Sequence, residues 1–161
     1  MNHTGTSAAL ADARQQAPVF RLIYRSHSRI PAAGFEAELG TILRGARAKN
    51  SALGITGALL VYDDWFAQTL EGEETAVRRL YAKIAADPRH DTVELREEGA
   101  ASARVFSRWA MAKVSEHGNP DIPLAATTSG VTEAAGRSTT PDQERILGIM
   151  RDVTRGYGRG S

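Results

Sequence analysis

The chain has 161 residues, 42% hydrophobic and 24% charged, close to the globular average, so neither a disordered nor a membrane-embedded chain is indicated. Lys and Arg number 20 against 19 Asp and Glu; a net charge of +1 gives no global field to attract nucleic acid or anionic lipid. The absence of cysteine excludes disulfides, thiolate zinc sites, iron–sulfur clusters and cysteine nucleophiles. No apolar run approaches the roughly 20 residues that span a bilayer, and the N-terminus lacks a basic region followed by an apolar stretch. A cytoplasmic protein without membrane or nucleic-acid partners is expected.

Residues 1–18 are small and polar and read as a flexible leader ending at Pro18. In Phe20 to Ser26, Phe20, Leu22 and Tyr24 point one way while Arg21, Ile23 and Arg25 point the other, the pattern of a partly buried strand. Phe35, Leu39, Ile42, Leu43 and Ala46 form the apolar stripe of a helix over 35–48. Gly54 to Tyr62, Asp63-Asp64 and Trp65 to Leu70 read as a hairpin, the two glycines admitting close backbone approach.

A second helix opens on Glu73 and Glu74, carries Val77, Leu80, Tyr81 and Ile84 on one face, and ends at Asp87-Pro88. Thr92 to Glu97 and Ser107 to Val114 are strand candidates separated by the small, polar Gly99 to Ala103. The order β-α-β-β-α-β-β predicts an α+β, ferredoxin-like sheet with two helices on one face. Residues 115–140, with Gly118, Pro120, Pro123, Gly130 and Gly136, read as a long irregular connection. Pro141 then starts a C-terminal helical extension over 142–155 with Ile146, Leu147, Met150 and Val153 on its apolar side. The expected organisation is leader 1–18, domain 19–114, and linker with short helix 115–161.

Residue patterns for catalysis are sparse. His3, His27, His90 and His117 are scattered without metal-ligand spacing, and no metal site is expected. No nucleophile elbow, phosphate loop or dinucleotide fingerprint is present, and Gly54-Ile55-Thr56-Gly57 has the wrong spacing for any of them. Asp63 and Asp64 suit turn chemistry better than acid–base work, and Asp87 to His90 reads either as an ordinary helix end or as a cofactor clamp.

Six segments in order resemble the BLUF family of flavin-dependent blue-light sensors. They are LIYRS with Tyr24; Arg47-x-x-Asn50; Gly54-Ile-Thr-Gly-x-Leu-Leu60; Phe66-x-Gln-x-Leu-Glu-Gly72; Asp87-x-Arg-His90; and Phe106-x-x-Trp-x-Met111. The resemblance covers about 95 residues, from Phe20 to Val114, and implies the same ferredoxin-like sheet with a flavin between its two helices. It makes Tyr24 the electron and proton donor, Gln68 the amide that reorganises on illumination, and Asn50 a flavin-anchoring amide. Trp109 and Met111 fall at the positions of the switching aromatic and thioether, and on a strand the two would share a face, either toward the flavin layer or in ordinary core packing. Arg47, Lys49, Asp87, Arg89 and His90 are weaker carry-overs to flavin binding, and Ala46 stands where many members have Ser, which removes a hydroxyl contact.

The chemistry suits those roles. A flavin edge presents acceptors and one N–H donor, and the carboxamides of Asn50 and Gln68 offer donor and acceptor in one plane. Gln68 can exchange those two ends by rotation or tautomerisation and so hold two hydrogen-bond patterns. The cofactor implied is FAD, with FMN or riboflavin as alternatives, and the expected output is contact with a downstream protein, in a homo-oligomer. The absence of cysteine excludes sensing through a cysteinyl-flavin adduct. Competing readings are a small ferredoxin-like enzyme, either flavin redox or hydrolase, and a flavin-free interaction module.

Overall fold

The computed structural model describes residues 19–116, 120–127, 130–133 and 140–155. The expected leader 1–18 and the tail from Gly156 lie outside the described residues. The elements in order are β1 (Val19–Ser28), α1 (Phe35–Leu53), β2 (Thr56–Tyr62), β3 (Trp65–Gly72), α2 (Glu74–Ala85), β4 (His90–Ala101), β5 (Ala112–Ser115), β6 (Ile122–Thr127), β7 (Gly130–Glu133) and α3 (Pro141–Arg155). The seven strands lie in the order β4-β1-β3-β2-β5-β6-β7. Pairing is antiparallel within β4-β1-β3-β2, parallel where β5 joins β2 and where β6 joins β5, and antiparallel again in β6-β7. The ferredoxin-like α+β expectation holds for the first four strands and two helices.

Two-residue alternation divides the side chains of the central strands between two cores. Phe20, Leu22 and Tyr24 of β1, with Phe66 and Leu70 of β3, pack against Leu39 and Leu43 of α1 and Val77 and Leu80 of α2. Ile23, Ala58, Leu60 and Ala67 face the other way, where Ile146, Leu147 and Met150 of α3 cover them. Full burial of each large aliphatic chain is worth about 1.5–3 kcal/mol before entropy, so α3 is held mainly by this stripe.

Three boundaries differ from the sequence reading. The first helix runs on to Leu53 and is stopped by Gly54, whose φ of 69° is left-handed; Ile55 N–H then donates to Asn50 O at 2.9 Å. Gly54 is therefore a helix stop rather than the start of a strand. The fourth strand extends through Gly99 to Ala101, which stay paired with β1. The expected strand over 107–114 is mostly a connector, with β5 starting only at Ala112.

Within 115–140, expected to be irregular, β6 and β7 pair as a hairpin and extend the sheet. The capping of α3 is reciprocal: Gln143 N–H donates to Thr140 Oγ1 and Thr140 N–H donates to Gln143 Oε1, both at 3.1 Å.

Candidate functional site

Between α1, α2 and the sheet lies a cavity of about 290 Å³. Its inner wall is apolar, from Leu39, Leu43, Leu59, Phe66, Leu80 and Met111, all buried. Three polar groups interrupt it: the Tyr24 phenol and the amides of Asn50 and Gln68, also buried. Exposed liners, among them Thr41, Gly45, Lys49, Lys83 and Arg89, define the solvent side, so the rim carries three cations beside the Asp87 carboxylate. An apolar slot with a few convergent polar groups is the usual form of a cofactor site.

Tyr24 and Gln68 are register partners across β1 and β3, and both side chains project toward the helices. The Tyr24 hydroxyl donates to Gln68 Oε1. Gln68 Nε2 in turn donates to Met111 Sδ at 3.3 Å. A thioether is a weak acceptor, so this buried N–H₂ group is poised for a stronger acceptor in the cavity. Burial, then the nearby Tyr81 and Asp87, drive the Tyr24 pKa well above the usual phenol range. Tyr24 is therefore a neutral hydrogen-bond donor across the physiological range.

His90 is anchored from two sides: Nε2 lies 2.6 Å from Ile84 O and Nδ1 lies 2.8 Å from Ser26 Oγ. A carbonyl only accepts, so Nε2 carries a proton and donates to Ile84 O, while Nδ1 faces the Ser26 hydroxyl. Asp87 is bound by Arg89, whose Nε donates to Oδ1 at 3.0 Å, and this bond chiefly lowers the Asp87 pKa. Asn50 Nδ2 donates to Ala110 O at 2.8 Å, so the amide at the cavity also holds the β4–β5 connector.

Of the ten residues singled out from sequence, Tyr24, Lys49, Asn50, Gln68, Asp87, Arg89, His90 and Met111 line the cavity. Two stand elsewhere. Arg47 donates from Nε to Met111 O at 2.9 Å and from Nη2 to Asp121 Oδ2 at 2.8 Å, bracketing β5 instead of facing the cavity. Trp109 packs against the α3-side core while Met111 packs on the helix side, because neither lies in a strand and the backbone turns between them. Among the described residues no cluster of His, Cys, Asp or Glu could hold a metal, and no helix is long and apolar enough to cross a membrane.

Sequence reasoning gave no role to Glu71, Gln143 or Arg25. Glu71 is fully buried opposite Gln68 on β3; a carboxylate at an inward position of a central strand was the available signal. Gln143 Nε2 donates to Val105 O at 3.0 Å, and Arg25 Nη1 donates to Val153 O at 3.0 Å near the end of α3.

The donor set fits a flavin: an apolar cavity, two amides and a phenol on its inner wall, and cations on its rim. Residues 19–112 match the BLUF family, described as sensors of blue-light using FAD. The chain is 33% identical over 91 residues to the photoactivated adenylate cyclase subunit beta of Euglena gracilis, covering 56% of this chain and 11% of that protein. It thus spans about a tenth of that relative's length. The solved dark-state structure of BlrB, a BLUF protein, is similar with a TM-score of 0.56 and 36% identity, over 61% of this chain and 73% of that one. A bacterial light-regulated adenylyl cyclase aligns over 86% of this chain and 34% of its own, with a TM-score of 0.57 and 25% identity. By sequence, fold and cavity the chain belongs to the BLUF family of blue-light sensors.

Proposed function

We propose that the cavity holds FAD and that blue light is converted into a rearrangement of the Tyr24–Gln68–Met111 hydrogen bonds, which α3 and the β5–β7 extension pass to a partner protein. The observation that carries this is the buried chain from Tyr24 Oη through Gln68 to Met111 Sδ on the inner cavity wall. Bound flavin supplies the chromophore and, once excited, an oxidant able to draw an electron from a phenol. Tyr24 is the group placed to give that electron and to release its proton to Gln68. Gln68 has two patterns open to it: its oxygen toward Tyr24, as here, or its ends exchanged by rotation or tautomerisation.

The other residues bind and orient. Asn50, which holds Ala110, would meet the polar edge of the ring, His90 is anchored at both ring nitrogens, and Lys49, Lys83 and Arg89 would provide positive charge for the phosphates of FAD. The FAD assignment follows the family's description and the cationic rim; flavin extracted from the purified protein and identified by mass tests it against FMN and riboflavin. For the switch, absorption is recorded in darkness and after blue light. The expected result is a small persistent red shift of an intact flavin band. A lasting loss of that band, as a covalent adduct gives, would overturn the reading; the chain has no cysteine to form one. Residues 19–114 are the sensing unit in this proposal and residues 115–161 the output.

A further inference from the structure

Glu71 stands three residues beyond Gln68 on β3 and therefore on the opposite face of the sheet. Its carboxylate is fully buried and takes five hydrogen bonds. Arg21 donates from Nε and Nη2 at 3.1 Å each, and Thr56 Oγ1 donates at 3.0 Å. The other two donors are backbone N–H groups, Val105 to Oε2 at 2.6 Å and Phe106 to Oε1 at 3.0 Å. Between Ala101 and Ala112 the chain lies in no strand, so this side chain does there what a neighbouring strand would otherwise do.

From that clamp the connector reaches the cavity in a few residues. Trp109 N–H donates to Phe106 O at 3.0 Å, closing a turn, and Gly57 N–H donates to Trp109 O at 3.2 Å. Phe106 packs on the α3 side and Met111 on the cavity side. Met111 then meets Gln68. The connector is thus gripped by β3 twice, by Glu71 from one face and by Gln68 from the other.

We propose that Glu71 is a positioning residue of the photoswitch: its carboxylate sets the register of the 103–111 connector so that the Met111 thioether stands against the Gln68 amide. The inference rests on the reading of Tyr24, Gln68 and Met111 as the switch. Only an acceptor on both arms suits this site, because a carboxamide would turn its own N–H₂ toward one of the donors. Glu71→Gln loosens the connector without changing its length, and the lit arrangement then decays faster.

The test is the lifetime of the red-shifted state in the flavin-loaded protein, measured for Glu71→Gln alone and together with Met111→Leu. The single variant is expected to shorten the lifetime by about fivefold or more, the factor that weakening one buried hydrogen bond produces. In the Met111→Leu background the same change is expected to matter by less than about twofold, since the partner through which Glu71 acts is gone. An unaltered lifetime, or equal factors in both backgrounds, overturns the proposal.

A readout independent of flavin is amide exchange at Val105 and Phe106 in the flavin-free protein, expected to quicken in Glu71→Gln; unchanged protection there also overturns it. Should Glu71→Gln not fold, Thr56→Val withdraws a single donor and is expected to shorten the lifetime in the wild-type background only; no change overturns the proposal. A wild-type protein without any red shift defeats the switch reading itself. A normal wild-type shift with an unaffected Glu71→Gln lifetime defeats only the role of Glu71.

Discussion

Tyr24 and Gln68 meet because β1 and β3 run antiparallel with these residues opposite one another, where side chains on one face stand within hydrogen-bonding reach. Tyr24→Phe and Gln68→Leu are both expected to keep flavin and lose the persistent red shift, the first by removing the phenol and the second by removing the invertible amide. A wild-type shift in either variant would take that residue out of the switch. Burial of the phenol also fixes a pH dependence. The unfolded chain ionises Tyr24 near pH ~10 while the folded chain keeps it protonated, so its contribution to stability is full below about pH 10 and is lost as pH rises further. Ultraviolet titration should therefore show no Tyr24 phenolate until the protein unfolds; Tyr24→Phe, compared with wild type, identifies the missing step. That the candidate site residues gather in one place was legible because they fall in motifs resembling one family, and eight of them do line one cavity. The contacts of Arg47 were not legible, because its length carries the guanidinium to Met111 O and Asp121, and nothing in the sequence says that Asp121 returns there.

At the level of elements, Gly57 shows how closely β2, β3 and the connector approach. A Cβ built there would stand 2.0 Å from Thr69 O and 3.3 Å from Met111 Cε. Backbone is the obstacle, so Gly57→Ala must part β2 from β3 and is expected to cost at least about 1–3 kcal/mol, read as a lower urea midpoint at unchanged slope. A midpoint equal to wild type would mean the strands separate freely. The hairpin, both helices and the alternation of β1 were readable because their apolar periods extend over many residues. The connector was not. Its amides at Val105 and Phe106 are satisfied by the Glu71 side chain, and side-chain substitutes for a ladder leave no periodic trace. The β6–β7 hairpin was missed for a related reason: its strands are short and lie among Gly and Pro, which read as loop.

Across the whole molecule, the sheet separates the cavity face from the face covered by α3, and three contacts join α3 to β1, β3 and the connector between β4 and β5. Gln143 Nε2 binds Val105 O, Thr69 Oγ1 donates to Met150 Sδ at 3.2 Å, and Arg25 binds Val153 O. Thr69 is the neighbour of Gln68, and Arg25 the neighbour of Tyr24, so each flanks a switch residue and faces the opposite side. A helix of 15 residues is marginal alone in water, so α3 depends on this docking. Met150→Ala, which empties a fully buried site between α3 and β3, is expected to lower stability by about 2–5 kcal/mol. Light need do far less: a shift in the docked population of α3 requires only a small difference in contact energy between the two Gln68 patterns. Hydrogen exchange in darkness and under continuous blue light is therefore expected to differ over residues 141–154, with the larger loss of protection near Gln143, where the connector attaches. Gln143→Ala removes the side-chain half of the reciprocal cap and the Val105 contact, and should raise exchange of α3 in darkness while leaving the red shift intact. Equal protection of α3 in both light conditions, with a normal spectral shift, would place the output on another face of the sheet.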